Sequence, residues 1–366
     1  MREITLSQAV NEAIAEEMRR DETVFLIGED VAEAGTPFKV LSGLVEEFGT
    51  NRVIDTPIAE PGFMGLAVGA AMTGARPIVD LMFGDFLYLV MDQLCNQAAK
   101  THYMSGGKLS VPLVLRTNLG ATRRSAAQHS QSLQALVAHI PGLKVAMPSS
   151  AYEAKGLMKT AIRDNNPVVI FEDKLMYQDK APVPEEEYLI PFGEAKILRE
   201  GTDVTLIGTS SMRQVCEAAA DILADDGISA EVIDPRTIVP LDEASLLASA
   251  RKTSRVIDTP IAEPGFMGLA VGAAMTGARP IVDLMFGDFL YLVMDQLCNQ
   301  AAKAHYMSGG KLSVPLVLRT NLGATRRSAA QHSQSLQALV AHIPGLKVAM
   351  PSSAYEAKGL MKTAIR

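Results

Sequence analysis

The sequence has no tryptophan and only three cysteines, Cys95, Cys216 and Cys298. No two of them form a Cys-x-x-Cys pair, and Cys298 is the copy of Cys95 in a repeated segment. This usage argues against a disulfide framework and against a structural zinc site, and it is typical of a reducing compartment. The N-terminus also lacks the apolar segment of a signal peptide, so we expect a cytoplasmic protein.

Long apolar runs and basic clusters are also missing. No stretch approaches the roughly 18 uninterrupted apolar residues of a membrane-spanning helix. The net charge is −7 and no Lys/Arg run is interleaved with aromatics, which argues against a nucleic-acid partner. The 48% of hydrophobic and 20% of charged residues are typical of a folded globular protein, and 366 residues are enough for two or three domains.

Predicted strands and helices alternate along the first part of the chain. Apolar runs predict strands at 23–27, 53–55, 77–83, 111–116, 144–147 and 168–172, and amphipathic segments predict helices at 7–20, 42–48, 62–73, 86–100 and 150–164. Ser7 is the expected cap of the first helix. This alternation predicts the α/β class, with a parallel sheet and helices on both faces. We expect a first domain over 1–176, a Pro- and Glu-rich linker over 177–200, and a second α/β unit over 201–257.

The rest of the chain is a repeat. Residues 52–163 recur as 255–366, and the only difference is Thr101 against Ala304. Near-identity over this length favours a recent duplication, a recombination or an error of sequence assembly over a selected two-site architecture. The second copy has no counterpart of residues 1–51 or of the strand at 168–172. We therefore expect 258–366 to form a partial domain with exposed sheet edges, because two identical segments compete for the same neighbours.

Three residues of the first copy could carry chemistry. Glu60 ends a strand region and begins a helix, so it is either a proton-carrying acid or a simple helix-capping carboxylate. His129 follows a strand, where parallel sheets place their sites, although a lone loop histidine is often only solvated. Phe86 fits a core position as well as a stacking platform. The glycines at 62, 65 and 69 do not form a dinucleotide-binding fingerprint.

A series of ordered strings then points to a family. They are Gly28-Glu-Asp-Val31, Asp55-Thr-Pro-Ile-Ala-Glu60, Leu81-Met-Phe-Gly-Asp-Phe86, Tyr103-Met-Ser-Gly-Gly107, Ala127-Gln-His-Ser-Gln131 and Pro141-Gly-Leu-Lys-Val145. Residues 1–257 resemble the beta subunit of the decarboxylating component of thiamine-diphosphate-dependent 2-oxo acid dehydrogenase complexes, of the pyruvate or acetoin type. The resemblance implies a pyrimidine-binding first domain and a second domain similar to the C-terminal domain of transketolase.

The resemblance also implies roles for the three candidates. Glu60 would hydrogen-bond the N1′ atom of the aminopyrimidine ring and share its proton, and Phe86 would stack on that ring. His129 would serve proton transfer or oxyanion stabilisation around the covalent intermediate and the incoming lipoyl group. A potassium site is implied as well, formed by the carbonyl groups of Leu113, Ala161 and Ile162 and by the side chains of Asp164 and Asn166.

The family pattern implies partners. The magnesium that holds the cofactor's diphosphate needs a Gly-Asp-Gly…Asn motif, which this sequence lacks, so an alpha subunit is expected to supply it and to complete a site between the chains. A lipoyl acyltransferase core and a second beta chain are the other expected partners. We therefore expect an enzyme subunit for 2-oxo acid decarboxylation or acetoin cleavage.

The departures from the family pattern leave an alternative open. The transketolase-like domain breaks off after Ile257, where the repeat takes over. The second copy offers Glu263, Phe289 and His332 but contains no counterparts of Asp164 and Asn166, so we expect it not to function. The alternative is a non-catalytic chain that docks an alpha subunit without forming a working site.

Overall fold

The computed structural model describes residues 1–121, 126–253, 262–323 and 333–365. The chain divides into two compact units, Met1–Asp258 and Thr259–Arg366. Each unit is described by itself below. Among the described residues, no helix is both long enough and apolar enough to cross a membrane.

The strands of the first unit form one large sheet and two small ones. Their bounds are β1 (Arg2–Thr5), β2 (Val24–Gly28), β3 (Val53–Asp55), β4 (Arg76–Leu81), β5 (Val114–Leu119), β6 (Lys144–Ala146), β7 (Val168–Asp173), β8 (Lys180–Val183), β9 (Lys196–Arg199), β10 (Val204–Ile207), β11 (Ala230–Asp234) and β12 (Thr237–Val239). The large sheet has the order β12-β6-β7-β5-β4-β2-β3. Its strands are parallel except β12, which runs antiparallel to β6. The predicted α/β class is confirmed.

The helices of the first unit connect these strands. They are α1 (Leu6–Arg20), α2 (Leu44–Phe48), α3 (Glu60–Met72), α4 (Leu87–Met91), α5 (Ala99–Met104), α6 (Gln134–Ala138), α7 (Ala151–Arg163), α8 (Ser211–Asp225) and α9 (Glu243–Thr253). Three short 3-10 turns cover Gly84–Phe86, Ala127–His129 and Lys174–Met176, and a π-helical stretch, Asp92–Ala98, joins α4 to α5. The single helix predicted over 86–100 is therefore a series of four segments.

The N-terminal helix illustrates how local sequence places an element. Thr5 caps α1, with its side chain accepting from the backbone N–H of Gln8 while the Gln8 side chain returns to the Thr5 N–H. This reciprocal capping box satisfies two of the N–H groups at the helix start. The prediction that Ser7 is the cap was wrong by two residues. The predicted apolar face of the helix, which includes Val10 and Ile14, is buried as expected.

The large sheet separates two hydrophobic cores. Successive residues of a strand point to opposite faces, so Ile78 of β4 lies in the core under α1 and α7, whereas Val79 lies in the core under α3 and α4. Both side chains are fully buried. Because both faces are covered, the strands read as continuous apolar runs, which is why the sequence pattern located them.

The segment expected to be a linker is structured. Lys180–Val183 pairs with Arg2–Thr5 as an antiparallel ladder, and Lys196–Arg199 pairs with β11. Strand β12 extends the large sheet, with Thr237 opposite Ala146. Residues 1–176 and 201–257, expected as separate domains, therefore belong to one compact unit. The Pro- and Glu-rich composition did not reveal this, because the pairing partners lie far away in sequence.

Asp234, a buried acid at the end of β11, connects the small three-stranded sheet to the large sheet. Asp234 is fully buried, accepts a hydrogen bond from the Ser149 hydroxyl, and accepts another from the Arg236 N–H at 2.9 Å. Burial raises the pKa of Asp234 to about 6 despite these hydrogen bonds. Since this value lies above the ordinary one of about 4, the folded state holds the proton more tightly than the unfolded state.

The expected result is a pH-dependent stability in the acid range. The free energy of unfolding should fall by about 2 kcal/mol as the pH rises from about 4 to about 6, and by about 3 kcal/mol from about pH 3 to about pH 7, because Asp234 must ionise in the folded chain. Asp234→Asn should flatten this slope, and the exposed control Asp225→Asn should leave it unchanged. Urea unfolding at several pH values measures both, and an unaltered slope in Asp234→Asn would contradict the prediction.

The second unit repeats part of the first. Its elements are α10 (Glu263–Met275), β13 (Ile281–Leu284), α11 (Leu290–Met294), α12 (Ala304–Met307), β14 (Val317–Thr320), α13 (Gln337–Ala341) and α14 (Ala354–Ile365), with a 3-10 turn at Gly287–Phe289 and a π-helical stretch at Asp295–Ala301. β13 and β14 form a two-stranded parallel sheet. Its core contains Met267, Val282 and Leu284, which are the copies of Met64, Val79 and Leu81 in the core under α3 and α4.

Candidate active site

The carboxyl ends of six parallel strands meet along one edge of the large sheet. In spatial order these strands are β3, β2, β4, β5, β7 and β6. Open parallel sheets bind their ligands at this edge, because the loops that follow the strands converge there. The residues that follow these strands in the chain include Glu29, Glu60, Phe86, His129 and Lys174.

Glu60 is a buried carboxylate at the start of α3. Only 6% of the surface of this residue is exposed. The N-cap position is held by Ala59, which makes no side-chain cap, so Glu60 lies one residue inside the helix. Among the described residues, no hydrogen bond or ion pair to the Glu60 carboxylate is found. Neither carboxylate oxygen of Glu60 is among the fully buried polar atoms that lack a partner, so the group is open to a ligand.

Glu29 faces Glu60 from the neighbouring strand end. Gly28 ends β2, and Glu29 follows directly in a half-buried position. Burial raises the pKa of Glu29, and the negative charges of Glu60 and Asp30 raise it further. The two carboxyl groups are therefore close enough to interact electrostatically.

Three rings form a cluster beside the next strand. The ring centroids of Phe83 and His129 are 4.5 Å apart, those of Phe86 and His129 are 5.6 Å apart, and those of Phe83 and Phe86 are 5.8 Å apart. The two contacts of Phe86 are edge-to-face, a favoured geometry for aromatic pairs. All three side chains are half-buried. The structure thus brings together Phe86 and His129, which are 43 positions apart in the sequence.

The turn that carries Phe86 is tightly packed. A side chain at Gly84 would place its β-carbon 2.4 Å from the carbonyl oxygen of Asn118 in β5, so only glycine allows this approach. The adjacent Asp85 is buried, and its Oδ1 accepts from the backbone N–H of Gln131 at 3.2 Å and from the Gln131 side chain at 2.8 Å. Because Gln131 lies two residues after His129, Asp85 anchors the loop that presents the histidine. The second oxygen of Asp85, Oδ2, is buried with no hydrogen-bond partner among the described residues.

Lys174 supports the same cluster from β7. Its ammonium group donates to the carbonyl oxygen of His129 and lies 5.1 Å from the centroid of the Phe83 ring. Burial lowers the pKa of Lys174, against the opposing effect of Asp85 and Asp173. Phe83 and Lys174 were missed in the sequence. The available signal was that each lies within two residues of the end of a predicted parallel strand.

Removing the Lys174 ammonium group should loosen the His129 turn. A hydrogen bond from a charged donor contributes about 1.5–3 kcal/mol, so Lys174→Met should increase amide exchange over 126–131 by about tenfold or more. The exposed control Lys108→Met should leave this exchange unchanged. Hydrogen-exchange mass spectrometry of both variants measures the effect, and equal protection in the two would show that Lys174 does not hold the turn.

The predicted potassium residues lie near one another but contact cations of the chain itself. Arg76 donates to the carbonyl oxygen of Ile162 at 3.0 Å, and Lys144 forms an ion pair with Asp164. Although burial opposes it, Lys144 and Asn166 lower the pKa of Asp164. Positive side chains therefore already occupy two of the five proposed ligands. This arrangement does not fit an additional alkali cation, and the potassium site stays a prediction from which we derive no step.

The second unit reproduces only part of the site. Glu263 is the first residue of α10 and is 8% exposed, and the rings of Phe286 and Phe289 are 5.8 Å apart, as in the first copy. His332 lies outside the described residues. The sequence contains no second copy of Glu29 or Lys174, since both lie outside the repeated segment.

Comparisons with known proteins agree with this architecture. A family model described as "Transketolase, pyrimidine binding domain" matches residues 2–180 and again residues 195–366. The pyruvate dehydrogenase E1 component subunit beta of Rickettsia felis is 50% identical over 273 residues, which cover 75% of this chain and 83% of the relative. The acetoin:2,6-dichlorophenolindophenol oxidoreductase subunit beta of Bacillus subtilis is 51% identical over 275 residues, which cover 72% of this chain and 80% of the relative.

A solved structure supports the fold. A split-gene transketolase, described as an inactive β4 tetramer, has a TM-score of 0.60 with 99% of this chain and 98% of that chain covered. The sequences are 18% identical, so this likeness shows the fold alone.

Proposed function

Because the chain belongs to the family of thiamine-diphosphate-dependent pyruvate and acetoin dehydrogenase E1 beta subunits, we propose that its first unit holds the aminopyrimidine half of the cofactor at the edge beside Glu60. The observation that carries this proposal is the position of Glu60, a residue that is 6% exposed and whose carboxylate has no partner among the described residues, beside Glu29 at the edge where the parallel strands end. A ring nitrogen that shares a proton with Glu60 would satisfy that group.

The residues present fit this ligand. Phe86 is half-buried and already packs edge-on against two rings, so a flat heterocycle can stack on its remaining face. Glu29, whose pKa is raised by burial and by the charge of Glu60, lies beside Glu60. The buried Oδ2 of Asp85 is a further unsatisfied acceptor near the cluster.

Each residue then has a defined task. When bound, thiamine diphosphate supplies the carbon nucleophile that attacks a substrate carbonyl. Glu60 holds or returns the proton at N1′ of the pyrimidine ring, and Phe86 fixes the plane of that ring. His129, whose backbone is held by Lys174, can donate a proton or a hydrogen bond to an oxygen on which negative charge develops.

The partners follow from the same family. We propose that an alpha subunit completes the site and holds the magnesium and the diphosphate, and that a lipoyl acyltransferase accepts the acyl group. A beta–beta contact and a cytoplasmic location stay predictions.

The direct test is reconstitution. The full chain is mixed with the alpha subunit of its own complex, thiamine diphosphate and magnesium, and is assayed with pyruvate and with acetoin by dichlorophenolindophenol reduction. We expect turnover of one substrate by the mixture and none by either chain alone. A stable complex that binds the cofactor without turnover would favour the non-catalytic alternative, and failure to form a complex would overturn the proposed function.

A further inference from the structure

In the first unit, α1 binds α7 through charges as well as apolar contacts. Glu16 of α1 accepts from Lys155 at 2.7 Å and from Lys159 at 2.8 Å, and Glu17 accepts from Arg163 at 2.6 Å. Lys155 and Lys159 are almost completely buried by this packing. An acidic helix therefore covers a basic, partly apolar helix.

The strand that follows α1 adds a second attachment. β2 pairs with β4 in parallel, with Leu26 opposite Ile78. Residues of α1 pack in one core with Ile78 of β4 and Met158 of α7, and Ile78 and Leu157 are both fully buried. The segment formed by residues 1–55 is thus a cover whose complementary surface consists of α7 and β4.

The second unit contains that complementary surface without its cover. Its β13 and α14 are copies of β4 and α7, but the residues that precede the repeat form β10 to β12 with α8 and α9 instead of a second α1 and β2. Ile281, the copy of Ile78, is 50% exposed, and Leu360, the copy of Leu157, is 41% exposed. No described residue of α14 is buried.

The charges are exposed as well. Lys358 and Lys362 are the copies of Lys155 and Lys159 and lie on the surface. No carboxylate in the described part of the chain pairs with either ammonium group. On the β13 side, Asp283 is 54% exposed, whereas its counterpart Asp80 is buried. The basic helix α14 and the outer edge of β13 are therefore both exposed in the second unit.

We propose that α14 and β13 form an acceptor surface for residues 1–55 of a second copy of this chain. The evidence is complementarity that the molecule itself displays, since the same acceptor sequence binds the same segment in the first unit. Glu12 and Glu16 of the incoming segment would pair with Lys358 and Lys362, and its β2 would pair with β13. Each chain carries one such segment and two acceptor surfaces.

The two acceptor surfaces differ in strength. In the first unit the segment is held in addition by β1, which pairs with β8, and by Arg163 between Glu17 and Glu187. Among the described residues of the second unit, the strands are β13 and β14, and neither takes the place of β8. The first unit therefore holds the segment more strongly, and the second unit binds the segment of another molecule while that molecule's first unit has released it.

The test adds a fluorescent peptide of residues 1–55 to the full chain. We expect saturable binding by anisotropy, together with new protection from hydrogen exchange in 281–284 and 354–365. Lys358→Glu with Lys362→Glu should weaken binding by about tenfold or more, because two attractive charge pairs become repulsive. The control Lys303→Glu with Lys311→Glu, which changes the same net charge elsewhere in the unit, should weaken it by less than about twofold.

Exchanging the charges between the peptide and α14 tests whether the peptide binds at this surface. The peptide with Glu12→Lys and Glu16→Lys should bind the Lys358→Glu, Lys362→Glu chain and recover most of the lost affinity. It cannot enter the first unit, where Lys155 and Lys159 remain. The proposal is overturned if the peptide does not bind, if both pairs of substitutions weaken binding equally, or if the new protection falls in 151–163.

Discussion

Glu60→Gln should abolish most of the activity of the reconstituted complex, with a decrease in kcat of about 10²–10⁴-fold. Glutamine keeps the size of the side chain and can still hydrogen-bond a ring nitrogen, but it cannot take up and return a proton. The apparent affinity for the cofactor should change by less than about tenfold, since one hydrogen bond is altered and not removed. The measurement is steady-state turnover over a series of thiamine diphosphate concentrations.

The repeat supplies a matched control for this experiment. Glu263 stands in the same local sequence, begins a helix of the same length and is buried to a similar degree. The sequence that precedes Glu263 contains no copy of Glu29, because Glu29 lies before the repeated segment. Glu263→Gln should therefore leave turnover unchanged. Retention of activity in Glu60→Gln, or an equal loss in both variants, would show that the mechanism assigned to Glu60 is wrong.

Arg116→Met should destabilise the first unit by about 3–5 kcal/mol. The Arg116 guanidinium lies between two carboxylates, with Nε 2.8 Å from Glu172 Oε1 and Nη1 bonded to Asp80. All three residues are at most 3% exposed. Burial alone lowers the pKa of Arg116, but the two carboxylates raise it well above its ordinary value. Methionine fills the space and leaves two buried, uncompensated negative charges.

The copy of this arginine provides the comparison. Arg319 pairs with Asp283, and the two side chains are 46% and 54% exposed. Exposed pairs contribute about 0–1 kcal/mol, so Arg319→Met should have little effect. Urea unfolding followed by hydrogen exchange in each unit measures both changes. A loss in Arg116→Met as small as that in Arg319→Met would show that the buried network contributes no more than a surface pair.

Much of the fold could be predicted because its causes are local. The strands buried on both faces read as apolar runs, and the face of α1 with Val10, Ile14 and Met18 has helical spacing. The candidates Glu60, Phe86 and His129 came from the family resemblance and from their positions after strands. What the pattern missed depends on distant partners: β8 needs β1, and β12 needs β6.

In the candidate site, too, the contacts that the sequence pattern missed depend on distant partners. Nothing near Lys174 in the sequence indicates that its ammonium group reaches the carbonyl of His129, 45 positions away. Glu29 becomes a neighbour of Glu60 only because β2 and β3 pair side by side. The order of strands in the sheet decides both contacts, and that order is a property of the whole fold.

Comparing the two copies of the repeat separates what the local sequence determines from what the tertiary structure decides. The repeated sequence forms several of the same local elements in both copies: Glu60–Met72 and Glu263–Met275 are helices of equal length, and both are followed by the same turn and π-helical stretch. Their backbone hydrogen bonds join residues a few positions apart, so the sequence alone determines them. Burial differs, because it depends on which distant segments are available to pack. Ile78 lies under α1, whereas Ile281, in the same sequence, is half exposed because no such helix covers it.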